Sequence, residues 1–167
     1  MKAFSEPLNS AHIKADFSCG KELLDRYLHE QAGQDIKRKL AACFVVQDEA
    51  NNLIKGYYTL SNSSIPLDGI PGELQKKLPR TYKAIPATLL GRLAVDKRYH
   101  GQALGKLLLI DALKRSSEMS EAIGSFAVVV DPLDPDAERF YKKYGFIKLP
   151  DSGKMFLPMR TINQLFQ

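Results

Sequence analysis

The stretch VDKRYHGQALGK, residues 95–106, constrains this chain more than any other. An apolar segment, TLLGRLAV (88–95), stops at Val95. A basic loop with Gly101 and Gly105 follows, and leucines then recur at helical density through ALGKLLLIDALKRSSEM (103–119). A strand that feeds a loop and then a helix leaves backbone N–H groups without intrahelical acceptors, at the positive end of the helix dipole. With Arg98, His100 and Lys106 nearby, such a loop suits an anion, and a pyrophosphate is its natural guest. A glycine turn that only reverses the chain has the same spacing. Two known phosphate loops do not fit. Gly101 and Gly105 are too close for GxxxxGK[ST], and Leu107 follows Lys106. The spacing is not GxGxxG either.

The rest of the chain organises around this loop. Residues 16–35, DFSCGKELLDRYLHEQAGQD, read as a helix with Ser18 as N-cap and Leu23, Leu24, Tyr27 and Leu28 on its apolar face. KRKLAACFVVQ (37–47) leads into a strand, DEANN (48–52) turns, and LIKGYYTLSNSSI (53–65) is the hairpin partner. Residues 66–87 are rich in Pro and Lys and read as a long loop with a short helix near 73–77. Within the helix at 103–119, Leu108, Leu109, Ala112 and Leu113 share one half. Leu104, Leu107 and Ile110 lie outside it, which predicts packing on more than one side. GSFAVVVD (124–131) has the continuous apolar pattern of a strand buried on both faces. PDAERFYKKYG (135–145) is a short helix closed by Gly145, and FIKL with KMFLPMR forms a closing hairpin. The unit from Thr88 to Val130 is βαβ, so its strands are expected to be parallel with a right-handed crossover. The expected class is α/β (α+β): one domain over residues 1–167, with a mixed central sheet and helices on both faces.

Composition narrows the function. Across 167 residues, 44% are apolar and the net charge is +5, which fits a folded domain with an anionic partner. No stretch is long and apolar enough for a membrane helix, and the N-terminus lacks a secretory core, so a cytoplasmic protein is expected. Cys19 and Cys43 lie far apart without a CxxC, which points to core residues rather than a metal site or disulfide.

The loop motif is Arg-x-x-Gly-x-Ala at Arg98, Gly101 and Ala103. It resembles the acetyl-CoA signature of the GNAT N-acetyltransferase superfamily, Gln/Arg-x-x-Gly-x-Gly/Ala. DAERFYKKYGF, Asp136–Phe146, is similar to that family's second element, Ala-x-x-Phe-Tyr-x-x-x-Gly-Phe. The resemblance implies a GNAT fold whose parallel strands splay around the thioester, with acetyl-CoA as cofactor. It implies that Leu93, Ala94 and Val95 pair their backbone with the pantetheine arm. It also implies that Arg98 and the amides of His100, Gly101, Gln102, Ala103, Leu104, Gly105 and Lys106 surround the pyrophosphate. Asp134 stands where many members carry Asn. Tyr141 matches the tyrosine that commonly protonates the departing sulfur; a phenol of pKa about 10 stays protonated at neutral pH and suits that role. On position alone, Tyr141 could equally be a packing residue, as Tyr144 is expected to be. No convincing general base stands out: Glu73 and Glu118 read as surface residues, and His12, His29 and His100 as exposed or structural. That mildly favours an α-amine substrate, whose pKa of about 7.7–8.0 leaves it partly neutral.

A finer resemblance starts upstream. Phe-x-Cys-Gly-x-x-x-Leu-Asp-x-Tyr-Leu at 17–28 and LGRLAVD at 90–96 are similar to the GNAT toxins of type II toxin–antitoxin modules. That group implies acetylation of the α-amine of aminoacyl-tRNA, a ribbon–helix–helix antitoxin partner and a homodimer. Lys37, Arg38, Lys39, Arg80 and Arg92, with Lys76, Lys77 and Lys83, are the candidate RNA contacts. Two alternatives remain: a GNAT acting on a small amine or a protein N-terminus, and a non-catalytic CoA-binding regulator.

Overall fold

A computed structural model describes residues 3–167. Its elements in chain order are β1 (Glu6–Pro7), α1 (Glu22–Arg26), a π-helical turn (Tyr27–Gln31), α2 (Ala32–Lys37), β2 (Ala42–Gln47), β3 (Ile54–Pro66), α3 (Gly72–Gln75), β4 (Ala84–Val95), a 3-10 turn (Lys97–Tyr99), α4 (Leu104–Met119), β5 (Ala127–Val130), α5 (Pro135–Lys143), β6 (Ile147–Lys148), β7 (Met155–Pro158) and α6 (Met159–Leu165). Seven strands form one mixed sheet in the order β1-β2-β3-β4-β5-β7-β6. β4 and β5 are parallel, as the βαβ reading requires, and pair only at Thr88↔Val128 and Leu89↔Val129. β4 then runs on for six residues, from Leu90 to Val95.

The chain forms two compact units. The first comprises 1–61 and 90–112. Its core joins Leu8, Phe17, Cys19, Tyr27, Leu28, Ala32, Cys43, Val45, Ile54, Tyr57 and Ala94. Tyr57 is fully buried and stands edge-on to Phe17 at 5.5 Å; its hydroxyl donates to the Leu24 carbonyl at 2.7 Å. Gly56 belongs here for a steric reason. A Cβ at that position would lie 2.7 Å from a Leu108 methyl and 3.0 Å from the Ala94 carbonyl oxygen. Both cysteines are buried and free, as expected. Burial is the main force pushing Cys19 up to about 11 and Cys43 up to about 12, so both remain protonated thiols.

The second unit comprises 62–89 and 113–167. Its core is built from Ile65, Ile70, Ile85, Ala87, Ala127, Val129, Leu149 and Phe156. All four residues of β5 are buried, matching their unbroken apolar pattern. β5 and β6 each pair antiparallel with β7, which bears out the closing hairpin.

Several expectations need correction. Ser18 does not cap the first helix: the capping position falls at Lys21, with no side-chain hydrogen bond, and Asp25 instead accepts the Cys19 N–H at 2.8 Å. The helix is not continuous, because the Ala32 N–H reaches back five residues to the Tyr27 carbonyl. Leu23 is exposed, while Tyr27 and Leu28 are buried. On α4, Leu108, Leu109, Ala112 and Leu113 are buried as read, and Leu104 joins them; Leu107 and Ile110 are exposed, so the packing there is one-sided. β4 begins at Ala84 rather than at Thr88, and Met159 opens a helix rather than extending the last strand.

One buried carboxylate fixes the end of β4. Asp96 is 1% exposed. Its two oxygens accept the Ser18 N–H at 3.0 Å, the Arg98 N–H at 2.9 Å and two contacts from the Arg98 guanidinium at 2.8 and 3.0 Å. Lys97 N–H donates to the Ser18 carbonyl, and Asp96 N–H to the Lys55 carbonyl, each at 2.8 Å. Burial works to raise the Asp96 pKa, but the hydrogen bonds from Arg98 and Ser18 outweigh it and hold the group below 3.8, at about 2.

Two consequences are measurable. Gly56→Ala forces Leu108 and the Ala94 carbonyl to give way, and a loss of about 1–3 kcal/mol is expected in denaturant unfolding. Asp96→Asn removes charge-assisted bonds and is expected to cost about 2 kcal/mol. Because the folded pKa of Asp96 is depressed, its contribution is complete above pH 3.8 and is lost as pH falls towards about 2. Unfolding curves taken across that window should converge for wild type and variant at the acid end.

Candidate active site

The loop after β4 is built for unpaired amides. The Lys97–Tyr99 turn ends with the His100 N–H on the Lys97 carbonyl at 3.3 Å. Gly101 then has φ +81° and Ala103 φ +59°, so the backbone twice enters the left-handed region before α4 starts at Leu104. Leu107 is the first residue of α4 to donate backward, to Ala103 at 3.1 Å. Among the described residues, none of the amides from Gly101 to Lys106 finds an acceptor. Six consecutive free N–H groups leading into a 16-residue helix are an arrangement suited to an anion. The expected run therefore begins one residue late, since the His100 amide is already engaged. A Cβ on Gly101 would touch nothing within 4 Å, so that position is glycine for its φ and not for want of space.

The cations of the motif behave differently from one another. Arg98, the arginine of the motif, holds its guanidinium on Asp96 and so helps set the loop's shape. His100 donates through Nε2 to the Val95 carbonyl at 2.7 Å, which bridges the loop back to the strand. Tyr99 donates to Asp48 at 3.0 Å and tethers the turn to the β2–β3 hairpin. Lys106 is exposed. Leu93 and Val95 are half-buried at the end of β4 and Ala94 is buried.

Tyr141 lies on α5 in the second unit. Asp134 caps that helix by accepting the Ala137 N–H at 2.9 Å, Pro135 occupies its first turn, and Gly145 ends it at φ +94°. The ring is buried against Phe140 at 5.2 Å and Phe146 at 5.3 Å. Burial alone raises the phenol above its ordinary value of 10. Its hydroxyl has no hydrogen-bond partner among the described residues, and no buried side-chain polar atom there is left unsatisfied, so the oxygen itself stays reachable. A phenol kept neutral, with a free hydroxyl, is a proton donor in waiting.

The histidines take structural roles. His12 donates to Glu6 and accepts the Asn9 N–H, while His29 donates to the Phe17 carbonyl. Glu73 and Glu118 are exposed. No group of side chains able to hold a metal occurs among the described residues, and no helix there is long and apolar enough to cross a membrane.

The basic residues divide between the units. Lys37, Arg38 and Lys39 are exposed at the exit of α2, where Lys39 turns the chain at φ +60°. Lys76, Lys77, Arg80 and Lys83 are exposed between α3 and β4. None of them is ion-paired among the described residues. Arg92 differs: half-buried, it lies over the Tyr27 ring at 3.6 Å. Sequence reasoning missed Asp96, although its place after a strand and two residues before an arginine was a usable signal. It also missed Tyr27, whose position in a helical pattern read simply as core.

Comparison with known proteins agrees with this geometry. The family model of the acetyltransferase (GNAT) domain matches residues 39–148. A tRNA-acetylating toxin of Mycobacterium tuberculosis is 32% identical over 168 residues, spanning 99% of this chain and 98% of its own. The structure of AtaT complexed with acetyl-methionyl-tRNAfMet superposes with a TM-score of 0.89 at 31% identity, covering 98% of each chain. A tyrosine-to-phenylalanine mutant of the AtaT toxin, bound to the C-terminus of the antitoxin AtaR and acetyl-CoA, gives 0.80 at 28% identity and covers 98% of this chain and 97% of that one. With its glycine-loop motif, its mixed seven-stranded sheet and relatives aligned nearly end to end, the chain belongs to the GNAT acetyltransferases and is an N-acetyltransferase that uses acetyl-CoA.

Proposed function

We propose that this chain transfers the acetyl group of acetyl-CoA to the α-amine of an amino acid carried on tRNA. It thereby acts in the cytosol as the toxin of a toxin–antitoxin pair, with residues 1–167 working as one GNAT domain. The observation that carries the cofactor side is the run of unpartnered amides from Gly101 to Lys106, which matches the charge and size of a diphosphate. The substrate side draws on the end-to-end likeness to a tRNA-acetylating toxin and on exposed, unpaired Lys37, Arg38, Lys39 and Arg80. A ribbon–helix–helix antitoxin and a homodimeric toxin complete the proposal, by resemblance to the toxin group.

In this reading the Gly101–Lys106 amides hold the diphosphate and the backbone of Leu93, Ala94 and Val95 aligns the pantetheine arm. Arg98 and the His100 ring keep the loop in shape from beneath. The neutral amine attacks the thioester carbonyl carbon and the C–S bond breaks. Tyr141 gives its hydroxyl proton to the departing sulfur and recovers one from solvent, while the proton released from the new amide leaves to water. The capped amine is no longer a nucleophile, which blocks its use in peptide-bond formation.

Tyr141→Phe removes one hydroxyl from a packed ring. A fall of about 100-fold in single-turnover acetylation is expected, with acetyl-CoA affinity unchanged by calorimetry. Undiminished turnover would remove the acid role. The wild-type rate should rise as the amine deprotonates near pH 7.7–8.0 and should not decline up to about pH 10, because the raised Tyr141 pKa keeps the acid protonated. Replacing Arg80 and Arg92 together by Glu is expected to weaken acetylation of charged tRNA and to flatten its salt dependence by roughly one unit of slope per lost phosphate contact. Mass spectrometry of wild-type reactions with total charged tRNA should show N-acetyl aminoacyl adducts; acetylation confined to small amines or protein N-termini would favour those substrates instead.

A further inference from the structure

Arg92 is a cation without a counter-charge among the described residues. It sits on β4, three residues or about 10 Å before the end of the strand. Its guanidinium lies 3.6 Å from the centre of the Tyr27 ring. Among the described residues it makes neither an ion pair nor a side-chain hydrogen bond, and no buried polar side-chain atom goes unsatisfied. One face of the guanidinium is therefore covered by the ring, and its N–H edges are free and reachable. Arg98 is the contrast, because its edges are spent on Asp96.

Tyr27 is placed with more care than a core residue needs. It opens the π-helical turn, and its carbonyl receives the Ala32 N–H five residues on. Such turns insert one extra residue and re-aim the side chains beside them. Its hydroxyl donates to Asp35 at 2.8 Å, and Asp35 is itself buried. Gln31 of the same turn reaches the same carboxylate oxygen at 3.4 Å. The Tyr57 ring lies nearly parallel to it, with centroids 6.3 Å and planes 14° apart. The ring is thus fixed by its hydroxyl and by a neighbouring ring while Arg92 lies over it. A guanidinium held 3.6 Å over an aromatic ring has a fixed place, and its planar fork of donors is the geometry that grips a phosphate with two bonds.

We infer that Tyr27, set by the π-helical turn and by Asp35, is a positioning residue that holds Arg92 as a fork for one backbone phosphate at the acceptor end of the RNA substrate. This rests on the tRNA reading above and makes it specific. The phosphates of CoA are the other source of the same chemistry, and the experiment separates the two.

Two minimal acceptors test it: an aminoacyl-adenosine without a 5′-phosphate and the same molecule carrying one. The wild type is expected to show a KM about tenfold lower for the phosphorylated acceptor. Arg92→Gln should abolish that preference through the KM for the phosphorylated acceptor, with no matching change in the KM for acetyl-CoA. Tyr27→Leu should behave like Arg92→Gln, and Tyr27→Phe, which keeps the ring, should retain most of the preference. Since Tyr27→Leu opens a core position, Arg92→Lys is the second variant; it keeps the charge but loses the fork and should lose most of the preference. A preference that survives in Arg92→Gln, or an effect that appears in the KM for acetyl-CoA instead, overturns the inference. Wild-type activity on both acceptors with no phosphate preference overturns it alone. A wild type inert towards both acceptors and towards charged tRNA overturns the substrate reading with it.

Discussion

The end of β4 and the loop that follows it depend on a carboxylate that is almost wholly buried. Asp96 gathers the segment before α1 through Ser18 and the start of the loop through Arg98, directly where β4 ends. A buried charge is tolerated only when it is compensated, and here two backbone N–H groups and a guanidinium do so. The compensation also has a direction. Pinning residues 96–98 leaves the next stretch free to rise into α4 with its amides unclaimed. The site's positive character thus comes largely from oriented backbone, which needs no reorganisation when an anion arrives.

Much of this was legible in the residues, for identifiable reasons. TLLGRLAV, the loop and the leucine helix announced strand, turn and helix because β-branching, glycine and 3.6-residue periodicity each leave a local mark. AVVV announced a strand buried on both faces, and β5 is that strand. Less could be read where position depends on distant partners. Arg98 read as a free cation because its claimant, Asp96, is recognisable only once burial is known. Ser18 read as a helix cap by type, but the capping position falls three residues later at Lys21, while the Ser18 N–H donates to Asp96, 78 residues away. The π-helical turn at Tyr27 has no sequence signature, since one slipped hydrogen bond leaves the apolar pattern almost unchanged. Leu107 and Ile110 have the composition of core and the exposure of surface, which is ordinary for a helix packed on one side.

Tyr141 and the two cysteines show how one force serves different ends. Burial raises all three groups. For Cys19 and Cys43 it silences chemistry, because a thiol held at about 11 or 12 supplies almost no thiolate. For Tyr141 the same desolvation preserves the protonated form, the one its proposed role as acid requires. The difference lies in the polar atom: the Cys19 thiol donates inward to the Lys21 carbonyl, whereas the Tyr141 hydroxyl has no partner among the described residues.

The left-handed turn at Ala103 explains why the loop signature reads as it does. At φ +59° the Cβ itself crowds the neighbouring carbonyl, at about 1–2 kcal/mol for any residue but glycine. Lys39 and Asn52 accept the same torsion, at φ +60° and +61°, so the angle alone does not demand a small residue. What alanine adds is economy: a methyl is the least that a side chain other than glycine can set beside the unclaimed amides. A β-branched residue such as valine would meet the torsion least easily of all, and would crowd those amides as well.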